Sequence, residues 1–162
     1  MVRLSPNVDP SSRADRRLLA VAFTVTSTFA AKCSTTTPAT DRLQLWALKG
    51  FANSLFVEKD VQKAYDDWIP GTYINHNPDV LSGRENALAF LEPIFSNPEL
   101  KSTIASISVG QGIGFIHHRL TIPGQADWAV MDRFGFNGTC IVEHWDVIQP
   151  ITGNETNPIA YF

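Results

Sequence analysis

The sequence predicts an α+β domain in which a curved antiparallel sheet wraps against helices that precede it along the chain. Three observations support this fold class. Apolar residues recur every three or four positions between residues 41 and 95, whereas beyond Lys101 they alternate with polar residues. The pair Asn137-Gly138 separates two of the alternating segments, which is typical of a two-residue hairpin turn. A sheet curved in this way leaves a concave face that can form a pocket.

Length and composition exclude several classes of protein. The chain has 162 residues, of which 44% are apolar, and a formal charge of −3. These values argue against a disordered chain and against a strongly basic nucleic-acid-binding protein. Two cysteines cannot form a disulfide framework or a four-thiolate zinc site, so the core has to come from ordinary apolar burial.

Residues 1–31 have the pattern of a secretory signal peptide or an anchor. Four arginines among residues 1–17 precede the uncharged run LLAVAFTVTSTFAA of residues 18–31. The run is too short for a comfortable membrane span. The alternative is a tail followed by a short amphipathic segment that packs on the domain, in a cytoplasmic protein. Residues 32–40 are expected to form a linker, and residues 41–162 the folded domain, which is more acidic than the whole chain.

Two helices are expected at the start of this domain. Thr40 or Asp41 can cap the first helix, and Asp60 precedes the second, which ends at Pro70-Gly71. The apolar face of the first helix comprises Leu43, Trp46, Ala47, Phe51 and Leu55. Residues 73–78 are then expected to be extended, because they combine aromatic and branched residues with a closing proline.

A third helix and four strands complete the predicted domain. Ser82 is a candidate cap for this helix, and Pro93 indicates that the helix bends or is short. The alternation predicts one strand that includes Ile104, Ile107 and Val109, followed by strands over residues 113–121, 126–136 and 139–149.

Polar residues within these strands carry the functional argument. His144 and Asp146 share one face of the last strand, and Asp132 and His118 each lie between apolar residues of their strands. An acid between apolar neighbours is costly to bury unless it is paired or used. A cluster of His and Asp on one inner face supplies the proton donors and acceptors that acid/base chemistry needs.

Each residue of this cluster also has a structural interpretation. Asp132 could be an exposed edge charge, and Asp146 could serve only to orient His144. His117 and His118 have opposite parity, so one of the two at most faces the pocket, and His118 is slightly favoured. Glu143 is expected on the outer face. The sequence shows no metal-ligand spacing.

Several segments occur in an order that carries a family resemblance. They are Tyr73–Pro78, Gly83–Glu85, Phe115–Leu120, Val130–Phe134, the Asn-Gly hairpin and Ile141–Gln149. Together they resemble the SnoaL-like polyketide cyclase group of the nuclear transport factor 2-like superfamily, over roughly residues 41–162. The chain departs from that group at residues 111–114 and in its N-terminal leader.

The resemblance implies a cone-shaped α+β fold, often a homodimer through the outer face of the sheet, with a pocket closed by the helices. It also implies chemistry without a metal or an organic cofactor, of the intramolecular aldol cyclisation kind. Carried over position by position, His76, Asp132, His144 and Asp146 match positions of the pocket. With His118 they are the candidate catalytic residues. The candidate substrate-binding residues are Tyr73, Trp128, Val130 and Phe134.

Three functional hypotheses follow. In the first, the protein is a cyclase, or a related lyase, isomerase or dehydratase, that acts on a small apolar carbonyl compound. Asp132 or Asp146 would be the general base, His118 or His144 the proton donor, and His76 would position the substrate. In the second, the protein is a secreted or membrane-tethered module that binds a small molecule without reacting. In the third, it is a dimer-forming scaffold that uses Trp145 and its neighbours on the outer face.

Overall fold

The computed structural model describes residues 30–36 and 38–162 of the chain. The signal peptide predicted for residues 1–31 therefore falls almost entirely outside the described residues. Within them, no helix has the length and apolar character needed to cross a bilayer. Helices come first and long antiparallel strands follow, which confirms the predicted α+β fold class.

The helices begin at or near the predicted positions. α1 spans Asp41–Ala52 and runs into a π-helical turn at Asn53–Val57, α2 spans Val61–Trp68, and α3 spans Arg84–Phe95. Thr40 caps α1 and Asp60 caps α2, since each side chain accepts a backbone N–H of the first helical turn.

Ser82 does not cap α3, contrary to the prediction. Gly83 occupies the N-cap position, where no side chain caps the helix. The hydroxyl of Ser82 instead accepts the backbone N–H of Asn75 at 3.0 Å and donates to the carbonyl of Asn75 at 3.2 Å. Ser82 therefore holds the extended segment before α3 rather than the end of the helix.

Five strands form one sheet in the order β1-β5-β4-β3-β2. They are β1 (Ile74–Asn75), β2 (Lys101–Gly110), β3 (Ile113–Thr121), β4 (Asp127–Asn137) and β5 (Cys140–Ile151). β2 to β5 form an antiparallel meander, and β1 pairs parallel to β5. The inner face of this sheet packs against α1 and the π-helical turn, and α2 packs on α1 and α3. Side chains of the helices and the sheet share one apolar core, which includes Leu48, Phe51, Tyr65, Ile116 and Ile141.

A bulge in β5 corrects the predicted faces of that strand. Gly135 pairs with Glu143 and Phe136 with Ile141, so Val142 is an extra residue on β5. Ile141 is consequently buried in the core, although strict alternation places it on the outer face. Beyond the bulge, His144 and Asp146 face inward as predicted.

The hairpin between β4 and β5 has a two-residue loop, but it is shifted by one residue from the predicted pair. Asn137 pairs with Cys140, so the loop residues are Gly138 and Thr139. Of Asn137 and Gly138, only the glycine has a positive φ, 60°. A glycine at the first loop position is the requirement of a type II′ turn, whereas the predicted turn needs positive φ at two residues.

The segment of residues 32–36, expected to be part of a linker, packs against this hairpin. Cys33 forms a disulfide with Cys140. The backbone N–H of Thr139 donates to the carbonyl of Ser34, and the N–H of Ser34 donates to Thr139 Oγ1, both at 2.9 Å. A Cβ at Gly138 would lie 2.1 Å from the carbonyl oxygen of Ser34, so glycine is also needed for this contact.

We expect the double variant Cys33→Ser/Cys140→Ser to unfold more easily than the oxidised wild type. The disulfide closes a loop across a sequence separation of 107 residues, and a cross-link of this length stabilises a fold by about 3 to 5 kcal/mol, mainly through the unfolded chain. Urea unfolding measures the difference. A reductant should lower the free energy of unfolding of the wild type to that of the variant, and it should leave the value for the variant unchanged. Equal free energies of unfolding would contradict the prediction.

Candidate active site

A cavity of about 550 Å³ lies between the inner face of the sheet and the helices. Its volume is that of a small-molecule site. Most of its wall is apolar, including Phe51, Phe56, Phe90, Phe95, Leu120, Val130, Phe134 and Ile148. The titratable side chains in the wall are Tyr65, Tyr73, Asp79, His118, Asp132, His144 and Asp146.

The strand register brings four of these side chains together. Asp132 on β4 lies directly opposite Asp146 on β5. His118 on β3 pairs with Val130, and His144 on β5 pairs with Phe134, so each histidine lies one inward-facing position along the sheet from Asp132.

Asp132 is held between two histidines. His118 Nε2 lies 3.0 Å from one oxygen of this carboxylate, Oδ2, and His144 Nε2 lies 3.0 Å from the other, Oδ1. The Asp132 side chain is 11% exposed, and that of His118 is 3% exposed. The group is therefore buried and paired at both oxygens, which is how a buried carboxylate avoids the cost of losing its water.

The balance of burial and pairing sets the pKa of Asp132. Burial acts to raise this pKa, but the hydrogen bonds from His118 and His144, together with the attraction of their charge, outweigh it and lower the pKa from 3.8 to about 2. Asp132 is consequently ionised at neutral pH and accepts hydrogen bonds without donating one.

Each histidine has a second partner on its other ring nitrogen. His118 Nδ1 lies 3.0 Å from the hydroxyl of Ser102 on β2, and His144 Nδ1 lies 3.0 Å from Asn75 Oδ1 on β1. The ring of Phe56 packs on His118 with the centroids 4.5 Å apart. The network thus extends through all five strands, from β2 to β1.

Asp146 differs from Asp132 in its surroundings. Among the described residues its carboxylate receives one hydrogen bond, from Asn77 Nδ2 to Oδ2 at 2.6 Å. Its side chain is partly exposed at the cavity wall. The second oxygen, Oδ1, has no hydrogen-bond partner among the described residues.

Two buried tyrosines complete the polar end of the cavity. The rings of Tyr65 and Tyr73 meet edge to face at 5.6 Å, and the ring of Tyr73 lies parallel to that of His144 at 6.4 Å. Burial raises the pKa of Tyr65 to about 12, and burial together with nearby Tyr65 and Asp132 raises that of Tyr73 as well. Both hydroxyls are neutral at pH 7.

The structure places most of the predicted site residues in the cavity wall. His118, Asp132, His144 and Asp146 meet at its polar end. The four residues expected to bind the substrate, Tyr73, Trp128, Val130 and Phe134, also line it. Their roles remain predictions.

His76 lies outside the cavity, so the prediction that it lines the pocket is wrong. Its side chain is 41% exposed, and Nε2 lies 2.8 Å from Glu143 Oε1. The ring stacks on Trp145 with the centroids 4.5 Å apart. Successive residues of an extended segment point to opposite faces, and Asn75 points inward. His76 must therefore point outward.

Sequence reasoning missed Tyr65, Asn75, Asn77 and Ser102. Asn75 and Asn77 have the same parity as Tyr73, and this alternation could have identified them. Tyr65 lies on the buried face of α2, where a core residue and a cavity residue have the same spacing. Nothing in the sequence distinguishes Ser102 from the other serines of its strand.

The same cluster contains residue types that can bind a metal ion. Asp132, His144 and Asp146 each place one ligand atom within 4.8 Å of the others. However, His144 Nε2 and both oxygens of Asp132 are already joined by hydrogen bonds. This pairing accounts for the cluster without an ion, and we assign no metal ligands here.

Comparison with known proteins establishes the fold. No protein-family profile and no curated protein matches the chain. Solved structures do match: an NTF2-like protein from Burkholderia xenovorans (TM-score 0.57, 13% identity, 68% of this chain and 85% of that one), a SnoaL-like protein from Burkholderia thailandensis (0.55, 14%, 70% and 99%) and a candidate polyketide cyclase from Acidithiobacillus ferrooxidans (0.53, 16%, 66% and 88%). The chain therefore shares the fold of these SnoaL-like and NTF2-like proteins.

We expect Asp132→Asn to destabilise the protein in a pH-dependent way. The native pKa lies below that of the unfolded chain, so the contribution of the charge is complete above about pH 4 and is lost as the pH falls toward 2. The free energy of unfolding of the wild type should exceed that of the variant by at least about 2 kcal/mol at pH 6. About half of the contribution of the Asp132 charge should be lost by pH 3.

Urea unfolding at the two pH values measures this difference. Asp127→Asn on the same strand is the matched control, since its partly exposed carboxylate lies 3.7 Å from Arg119 and should contribute little at either pH. A difference between wild type and Asp132→Asn that stays constant from pH 6 to pH 3 would refute the prediction.

Proposed function

We propose that the protein is an acid/base enzyme of the SnoaL-like type that acts on a small apolar carbonyl compound. The observation that carries the proposal is the cluster at the polar end of the apolar cavity. One carboxylate is paired with two histidines, and a second lies directly opposite with one oxygen open. Two acids in such different surroundings are suited to different roles.

Asp146 is the better candidate for the general base. Both oxygens of Asp132 are occupied by histidines, and its low pKa makes it a weak proton acceptor. Asp146 lines the cavity, and its Oδ1 has no hydrogen-bond partner among the described residues. Asp132 then serves to hold the histidines in place and to balance positive charge.

The proposed reaction begins when Asp146 takes a proton from the carbon next to a carbonyl. The C–H bond breaks, and its electron pair forms an enolate. In an aldol cyclisation the enolate carbon attacks a second carbonyl of the same molecule, a C–C bond forms, and the new alkoxide takes a proton from a histidine of the cluster. The proton on Asp146 then returns to that histidine through solvent, so no atom is gained or lost.

The charges of the cavity wall indicate an uncharged or cationic substrate. Three carboxylates line the cavity, those of Asp79, Asp132 and Asp146, and among the described residues no Lys or Arg lines it. A carboxylate on the ligand would be repelled in a largely apolar space, where charges interact more strongly than in water. An ester or a ketone avoids this cost.

A non-catalytic binding module is the second candidate function. It is favoured by the complete pairing of Asp132, because a network in which every group has a partner also suits a purely structural role. The two candidates differ in whether a bound carbonyl compound exchanges protons.

We also propose that the protein is exported. A disulfide between Cys33 and Cys140 suits an oxidising compartment, since cytosolic thiols are kept reduced, and it agrees with the signal-peptide pattern of the leader. Recovery of both cysteines as free thiols from the native source would contradict this proposal.

We expect the wild type to accelerate exchange of the α-protons of methyl 4-acetylbenzoate with D2O, followed by NMR. Asp146→Asn should reduce the acceleration about 100-fold or more, since a positioned base contributes about 10² to 10⁴. Asp127→Asn, outside the cavity wall, should retain it. Full exchange by a folded Asp146→Asn protein would refute the role of Asp146. Binding of the ketone without exchange by the wild type would favour the binding module.

We expect calorimetry at pH 7 to show that methyl 4-acetylbenzoate binds at least about 10-fold more tightly than 4-acetylbenzoate, because repulsion over several ångströms in the cavity is worth more than about 1.4 kcal/mol. Asp79→Asn and Asp146→Asn should each reduce the ratio of the affinity for the ester to the affinity for the free acid, and Asp127→Asn should leave this ratio unchanged. Preference for the free acid would overturn the charge argument.

A further inference from the structure

The amide of Asn75 has one possible orientation. Its Oδ1 lies 3.3 Å from the backbone N–H of Asn77, which can only donate, and its Nδ2 lies 3.3 Å from the carbonyl of Val80, which can only accept. Exchanging the oxygen and nitrogen of the amide would break both hydrogen bonds. The atom that faces His144 Nδ1 at 3.0 Å is therefore the amide oxygen, an acceptor.

This orientation determines where His144 carries protons. Nδ1 must hold a hydrogen in order to donate to Asn75. Nε2 faces the carboxylate of Asp132, which is ionised and can only accept, so Nε2 must hold a hydrogen too. A histidine with hydrogens on both nitrogens is an imidazolium cation.

His118 differs because its outer partner is a hydroxyl. The hydroxyl of Ser102 can donate to His118 Nδ1, so a single hydrogen on Nε2, shared with Asp132, satisfies both sides of the ring. His118 is also the more buried of the two histidines and packs on Phe56. A second cation beside one carboxylate would lack a counter-charge there.

We propose that Asn75 is a positioning residue that keeps His144 as the imidazolium, and that His144 rather than His118 is the proton donor of the site. The protonation of His144 rests on its two hydrogen bonds and on the ionised state of Asp132, whereas its role as a donor rests on the proposed function. The titratable groups that face His144 are Asp132 from β4, Asp146 from β5 and the neutral Tyr73 before β1. Two acids and no base agree with a cation at this position.

The test is ¹⁵N NMR of the histidine side chains in the full chain without ligand. At pH 7 we expect both ring nitrogens of His144 to be protonated, and His118 to show a protonated Nε2 and an unprotonated Nδ1. An unprotonated Nδ1 on His144 would overturn the proposal.

Asn75→Ser gives His144 the same type of partner that His118 has. A hydroxyl can donate to Nδ1 as well as accept from it, so Nδ1 no longer requires a hydrogen and the change of His144 to the neutral form should occur at lower pH than in the wild type. Ser102→Ala is the matched control, since it changes the partner of His118 and should leave the His144 signals in place. An unchanged transition in a folded Asn75→Ser protein would exclude the role of Asn75.

The NMR result and the proposed function can fail separately. A protonated His144 in a protein that binds the ketone but exchanges none of its α-protons would leave the proton assignment intact and contradict the proposed enzymatic function. Exchange of α-protons by a protein whose His144 is neutral at pH 7 would support the enzymatic function and contradict the assignment of protons to His144.

Discussion

The site depends on the need to pair the buried carboxylate of Asp132. A charge in this position without partners would cost several kcal/mol, so the strands on both sides must each bring a histidine to it. The register of β3 against β4 and of β4 against β5 meets this need, and the bulge at Val142 allows β5 to bury Ile141 in the core while His144 still faces Asp132. The shape of the sheet and the chemistry of the cluster are thus parts of one arrangement.

Asp132 and Asp146 show how two identical side chains acquire different properties on one surface. They lie opposite each other on neighbouring strands, where like charges repel. The histidines neutralise one carboxylate, while an asparagine amide and partial exposure to solvent support the other. The two carboxylates thus differ in their surroundings, while most of the cavity wall is apolar.

Periodicity was sufficient to predict the fold class, the order of the elements and the inward direction of His118, Asp132, His144 and Asp146, because alternation holds within an unbroken strand. It failed where the backbone departs from regular geometry or where a partner decides the outcome. The bulge at Val142 reverses parity, the turn glycine forms a contact with Ser34, and Ser82 binds Asn75 instead of a helix end. The family resemblance predicts His76 in the cavity, whereas the alternation from Tyr73 through Asn75 to Asn77 puts it on the opposite face.

The disulfide between Cys33 and Cys140 also imposes an order in time. During synthesis, Cys33 is made 107 residues before Cys140, so its thiol has to stay unpaired while the helices and the first four strands are made. The covalent bond can close only after the start of the last strand has been synthesised. Oxidation of this pair is therefore a late event, which links the segment around Cys33 to the last strand once that strand can join the sheet.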